Sequence, residues 1–306
     1  MTKAMDVIKR HELYNKEHCW QYDIRIKNLE EDLFLCGLNE KDLKHIKVTD
    51  FDFEHVSPEE KQKCKEIKSF IERHEWLGKM PNRPTHRFTA TWKGFLVGAI
   101  IMATPNAFSN LLGTEHKNKE KLISRGACIS WSPTNTASWL LMKAIRWMIK
   151  NTEFRIFTAY SDTEARELGT IYQACNFYYL GQTFGSNNMY LDPENPKKGW
   201  FSDREFRKQS KYKLYAAKVG IVKNEFDKYL GKWTPRWEKM PPGMKDKIKK
   251  EEQKYRDSCL VRKVEPKHKY VYVLGKNKKE TKQLKELFRK HNPKLKVYNY
   301  PKERGK

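Results

Sequence analysis

Apolar positions along this chain switch between a helical and a strand period, and the switches predict its elements. Cys64, Ile67, Phe70 and Ile71 recur at helical spacing. They predict a helix that opens at Ser57-Pro58-Glu59-Glu60, where serine caps and proline suits the first turn, and that stops near Gly78, before Pro81 and Pro84. Two apolar runs, His86 to Trp92 and Phe95 to Ala103, flank Lys93-Gly94 and predict a tight hairpin. A polar loop from Asn106 to Lys119 follows, then a predicted strand from Ile123 to Trp131. Leu140, Leu141, Ala144, Ile145, Met148 and Ile149 form a one-sided stripe, so a helix starts at Thr136–Ser138. Phe154 to Tyr160 predicts a strand, Leu168 to Asn176 a helix and Phe177 to Gly181 a further strand. Lys245 to Tyr255, Tyr270 to Gly275 and Thr281 to His291 predict a charged helix, a strand and a last helix. Strands alternating with helices of this length mean βαβ units and an α/β (α+β) fold with a mixed or parallel sheet.

The chain has 306 residues, enough for about two ordinary domains. Apolar residues make up 38% and charged residues 33%, which predicts a real core under a large charged surface. No run of about 18 apolar residues occurs and the N-terminus lacks an apolar signal region, so membrane spans and secretion are not expected. The six cysteines contain no CxxC pair, which fits reduced thiols and a cytoplasmic protein and offers no metal site.

Charge changes the picture most. Residues 201–306 carry 33 Lys+Arg against 13 Asp+Glu, whereas residues 1–200 carry 29 against 25. Such concentrated repulsion is relieved by a polyanion, and the aromatics between the cations, among them Tyr212, Trp237, Tyr255 and Tyr270, suit stacking on exposed bases or packing of a core. The expected organisation is a helical lead-in over 1–66, a catalytic core over 67–200 and a strongly basic extension over 201–306 that binds nucleic acid. Its contacts are expected from Lys211, Lys213, Arg236, Trp237, Arg262, Lys263, Lys267 and Lys269.

Three segments place chemistry at strand ends. The turn Ser132, Pro133, Thr134, Asn135, Thr136, Ala137, Ser138 puts free backbone N–H groups at a helix start, which suits either an anionic ligand or ordinary capping. Tyr160-Ser161-Asp162 ends a predicted strand, where ligands of open α/β sheets sit, and a carboxylate there accepts a proton from an amine or caps the next element. Tyr172 lies one turn from a helix end, placed either to protonate a leaving group or to pack. His74-Glu75-Trp76-Leu77-Gly78 begins like a zinc-protease helix but has Gly78 where the second histidine belongs, which excludes that activity.

Together the runs Leu122-Ile123-Ser124-Arg125, Ser132 to Trp139, Ala159-Tyr160-Ser161-Asp162 and Gly169-Thr170-Ile171-Tyr172-Gln173-Ala174-Cys175-Asn176-Phe177 resemble the signature of Mom-type phage DNA-modification proteins. The resemblance covers residues 68–190, with an echo at 269–276 and 298–302. It implies a GNAT-like acyltransferase fold and a transferase that modifies the exocyclic amine of adenine in DNA to a carbamoylmethyl derivative, evading restriction. It implies Asp162 as base or amine-orienting group, Tyr172 as acid, and Ser161, Ser124 and Arg125 beside them. Ser132, Thr134, Asn135, Thr136, Ala137 and Ser138 become the donor-binding turn. That turn lacks the glycines of acetyl-CoA-dependent relatives, so an acyl-CoA or related donor stays unassigned. The family places Gly-His before Gly-Thr-Ile-Tyr, whereas this chain has Glu167-Leu168 before Gly169, so this protein either has lost that histidine or uses another group. The alternatives are an N-acetyltransferase acting on RNA or a protein amine, and a non-catalytic nucleic-acid-binding protein on the same scaffold.

Overall fold

A computed structural model of the chain describes residues 19–81, 83–105, 107–183, 188–232 and 234–302. The chain divides into two units, one formed by Met1–Thr183 with Lys267–Lys306 and the other by Phe184–Pro266.

The first unit holds a seven-stranded sheet in the order β1-β2-β3-β4-β5-β10-β6. Its strands are β1 (Asp52–Val56), β2 (Pro84–Trp92), β3 (Phe95–Ala103), β4 (Glu120–Cys128), β5 (Ile156–Ser161), β6 (Tyr178–Thr183) and β10 (Lys267–Val273). The β2–β3 hairpin forms as expected. Lys93 and Gly94 both take positive φ, 48° and 83°, the backbone of a two-residue turn matched to strand twist. β3 is buried from Val97 through Ala103, so both its faces are covered. Helices α2 (Lys61–His74) and α3 (Thr136–Asn151) supply the cover, and α1 (Trp20–Leu35) packs on α2.

All neighbours in this sheet are antiparallel except β4 and β5. That parallel pair runs only from Glu120↔Ile156 to Ile123↔Ala159. Beyond it, β4 stays paired with β3 as far as Cys128, and β5 stays paired with β10 as far as Ser161. The two central strands therefore part, and α3 starts beside the gap.

Several expectations change. The region 1–66 is not only helical, since Asp52–Val56 forms the edge strand β1; residues 1–18 of that region lie outside the described residues. α2 starts at Lys61 rather than at Pro58, because Ser57 N–H donates to Glu60 Oε2 and closes a turn ahead of the helix. The predicted helix over 168–176 shrinks to α4 (Thr170–Ala174), bounded by Gly169 and Asn176, both at positive φ. The basic third is not one extension. Lys267 to Val273 inserts between β5 and β6, and α8 (Lys278–His291) follows it, burying Leu284 and Phe288 in a cluster with Ile156, Val271 and Val273.

The second unit contains β7 (Asn188–Leu191), β8 (Phe201–Ser202) and β9 (Leu260–Lys263) in a three-stranded sheet, with α5 (Gln209–Lys218), α6 (Lys223–Asp227) and α7 (Pro242–Asp257). Tyr212, Tyr215, Phe226, Met240 and Ile248 form one core there, and Tyr190, Phe201, Phe206 and Cys259 another. Aromatics that suited base stacking, Tyr212, Trp237 and Tyr255 among them, are thus spent on packing.

Near the β1–β2 edge, His55 stacks on Trp147 at 3.9 Å and neighbours His86 at 5.8 Å. Burial, with Lys121, His55 and Arg87 close by, lowers His86 to about 4. The unfolded chain binds that proton from about 6.5 downward while the native chain binds it only near 4, so acidification through this window favours unfolding. Urea unfolding of the native protein and of His86→Phe, at pH 7 and pH 4.5, should show the native protein losing more stability on acidification than the variant.

Candidate active site

Where β4 and β5 part, the structure leaves a cavity of about 260 Å³. Its walls come from Gly126 and Cys128 on β4, Tyr160 and Ser161 on β5, Ala137 and Leu141 on α3, the segment Glu167 to Tyr172, and Gln21, Tyr22 and Arg25 on α1. That is below the roughly 300–1,000 Å³ of pockets for drug-sized ligands, and it suits one base-sized group rather than a whole nucleotide cofactor.

Local chemistry explains why each piece is there. Gly169 has φ +67°, and a Cβ on it would meet the Tyr270 ring at 2.5 Å and Ser161 Oγ at 3.1 Å. Only glycine lets the 167–172 segment lie this close to β5 and β10. Tyr270 is fully buried and its hydroxyl donates to Leu168 O. α1 is tied down by Asp32, which accepts hydrogen bonds from Ser130 N–H and Ser130 Oγ (3.2 and 2.6 Å) and pairs with Arg73 at 2.8 Å. Two helical turns back, Arg25 donates from Nε and NH2 to Ser130 O and from NH2 to Ser132 O. Those carbonyls orient the guanidinium without neutralising it, and no carboxylate pairs with Arg25 among the described residues. Burial draws its pKa below the ordinary value.

Titration in the cavity, and of Glu75 outside its lining, is set mainly by desolvation. Glu167 is raised above the usual carboxylate range by burial and by the nearby Asp162 charge, although its oxygens accept from Asp162 N–H and Trp76 Nε1–H, both at 3.1 Å. Glu75 is raised to about 7 by burial, with Arg125 opposing and Glu167 adding to the shift. Burial also raises the Tyr172 phenol, with Glu167 the next cause, so it is protonated at neutral pH. The Cys128 thiol is pushed up to about 11, which removes it as a nucleophile. Ser161 is 2% exposed, and its hydroxyl has no hydrogen-bond partner among the described residues.

Of the residues expected from sequence, Ser161, Tyr172 and Ala137 meet at the cavity. Asp162, Ser124 and Arg125 do not line it. The Asp162 carboxylate is ion-paired with Lys267 and accepts from Glu164 N–H at 3.1 Å. Arg125 donates to Lys79 O and Ser124 O. In the turn before α3, Thr136 Oγ1 donates to Pro133 O and Ser138 Oγ to Asn135 O, so both hydroxyls are already engaged, and Asn135 is left-handed at φ 71°. Of that turn Ala137 lines the cavity, Ser132 is buried and Thr134 is exposed, and the structure points to no particular donor. Of the expected nucleic-acid contacts, Lys213 pairs with Asp227 at 3.0 Å and Lys269 donates to Ser109 Oγ at 2.9 Å. Lys211 lies over the Tyr255 ring, Arg262 over Trp200, Trp237 packs edge-on to Tyr212, and Arg236 donates to Lys228 O. Lys263 is exposed.

Sequence reasoning missed Glu167 and Arg25. Glu167 carried one signal, its place beside Leu168, which stands where the family has histidine. Arg25 carried none, because its role arises from where α1 folds back.

Glu75 yields a test of the electrostatics. Its native form holds a proton up to about pH 7 while the unfolded chain releases it near 4.5, so its contribution to stability is lost as pH rises through that window. Glu75→Gln should gain stability relative to the native protein between pH 4.5 and 7.5, by up to about 3 kcal/mol, in denaturant melts at the two pH values.

Similar solved structures are acetyltransferases. An IAA acetyltransferase from Bacillus cereus shares 15% identity over 44% of this chain and 81% of its own, with a TM-score of 0.32. A GNAT family acetyltransferase from Elizabethkingia anophelis shares 10% over 45% and 81%, with a TM-score of 0.29. A ribosomal-protein-S5-alanine acetyltransferase from Vibrio fischeri shares 11% over 44% and 82%, with a TM-score of 0.33. Likeness of this degree carries no argument about activity. No curated protein matches the chain. No helix among the described residues is long and apolar enough to cross a membrane. The family model that matches does so over residues 60–302, spanning both the parted strands and the closing strand β10, and by that match the chain belongs to the Mom protein family.

Proposed function

We propose that this protein is a GNAT-like transferase that modifies the exocyclic amine of adenine in DNA, by carbamoylmethylation as the family resemblance implies. The observation that carries this reading is the cavity between the parted strands, which gathers a carboxylate of raised pKa, a protonated phenol and an unpartnered hydroxyl within one base-sized space. An adenine amine inside a duplex is out of reach of such a cavity, so the target base leaves the stack.

Transfer forms a bond from the adenine amine nitrogen to the carbon of the incoming group and breaks the bond from that carbon to its leaving group. The amine must lose a proton and the leaving group must gain one. Glu167 takes the first, since burial makes its carboxylate more basic than an exposed one. Tyr172 supplies the second. Ser161 Oγ orients the base or the donor, and Arg25 faces negative charge that develops during transfer. Asp162, held by Lys267, fixes the turn that carries Glu167 and is a positioning residue, with Arg125 doing the same for Glu75. The donor is not assigned, and no step depends on its identity.

Nucleoside mass spectrometry on DNA from cells expressing the native protein should show a modified deoxyadenosine. Glu167→Gln should lower its yield about 100-fold or more, and Tyr172→Phe should lower it while keeping the ring packing. Unmodified DNA with folded native protein present would overturn the reading, and a modified RNA nucleoside or an acetylated protein in its place would favour the N-acetyltransferase alternative.

A further inference from the structure

The positive charge of the chain's last part divides between the two units. Residues 184–266 carry 21 Lys+Arg against 12 Asp+Glu, and residues 267–306 carry 14 against 3. The two sets differ in how they are compensated. In the second unit many cations are already paired: Lys198 and Lys208 with Glu205, Arg207 with Asp203, Lys249 with Glu252, Lys254 with Glu251, and Arg256 with Asp203.

The α8 side of the first unit is different. A groove of about 920 Å³ lies between α3 and the β10–α8 junction, floored by Ile149 and Leu274. One wall carries Arg146 and Lys150, one turn apart on α3. The other carries Lys278, Lys282, Lys285 and Arg289, at i, i+4, i+7 and i+11 on α8. None of these six cations forms an ion pair among the described residues, and Glu286 is the one acidic residue in the lining. The α8 stripe is about 16 Å long at 1.5 Å per residue, which spans several phosphates of one strand. Leu284 and Phe288 hold the opposite face of α8 in the core, so the stripe is presented rigidly. A solvated lysine face needs neither concavity nor a second cationic wall.

We propose that the α3–α8 groove is a docking site for the phosphodiester backbone of duplex DNA, held by Arg146, Lys150, Lys278, Lys282, Lys285 and Arg289. The choice of DNA as the polyanion rests on the proposed function; the position of the groove does not. Its cations displace condensed counterions, and the second unit contributes less because part of its charge is taken up by carboxylates beside it.

Fluorescence anisotropy with a labelled duplex, titrated at several salt concentrations between 50 and 200 mM, tests this. The full chain is compared with a quadruple variant (Lys278→Gln, Lys282→Gln, Lys285→Gln, Arg289→Gln) and a double variant (Arg146→Gln, Lys150→Gln). A control of equal charge change on exposed lysines of the second unit (Lys239→Gln, Lys245→Gln, Lys247→Gln, Lys250→Gln) completes the set, with thermal melts confirming each fold. The quadruple variant should flatten the log–log salt slope by about 3–4 and weaken binding at least roughly tenfold, and the double variant should flatten it by about 2. The control should move it by less than about 1. Equal losses in control and groove variants, or no loss in the groove variants, overturn the proposal. Stronger competition by RNA or by anionic vesicles than by duplex DNA overturns the assignment to DNA. Groove-dependent DNA binding by a native protein that leaves deoxyadenosine unmodified supports the groove while rejecting the proposed reaction.

Discussion

The candidate site of the first unit depends on one interruption, the end of pairing between β4 and β5 after Ile123↔Ala159. A strand that stops pairing leaves the backbone groups on that side without a ladder partner, while its other edge stays bonded, β4 to β3 and β5 to β10. Both strands are therefore held in place with their facing edges open. α3 starts beside it, Gly169 allows the following segment to close it, and α1, tied by Asp32 and Arg25 to the residues after β4, covers it. Desolvation follows from that enclosure, and it raises Glu167 and Tyr172 together.

Local pattern made much of this legible. The Lys93-Gly94 turn, the α3 stripe and the polar residues at the end of β5 all lie where their sequence placed them, because each depends on neighbours within a few residues. What failed depends on distance along the chain. β10 sits at the heart of the sheet, yet its partners Ile156–Ser161 and Tyr178–Thr183 lie far earlier, so its run of aromatic and basic residues read as part of an extension. Asp162 looked free because its counter-charge, Lys267, is 105 residues away. β1 was hidden by its shortness and by Asp52, Glu54 and His55 among its five residues.

Charge was the least local property. A net excess over residues 201–306 is real, but its effect depends on which cations have carboxylates beside them. In the second unit the acids are interleaved at helical spacing and neutralise many lysines, while buried tyrosines make cores. On α8 the acids are sparse, and Glu280 is taken by Arg155 at 2.7 Å, so the field survives. Counting charge along the chain located the excess in the wrong unit by about half.

The central claim is that the parted strands receive the target base. A duplex carrying 8-azidoadenine, photolysed in complex with the full chain and mapped by peptide mass spectrometry, tests it most directly. The account predicts adducts on the segments that wall the cavity, 160–172 and 21–25, lost when unmodified duplex competes. Adducts confined to residues 188–263, with none at the cavity, would contradict it.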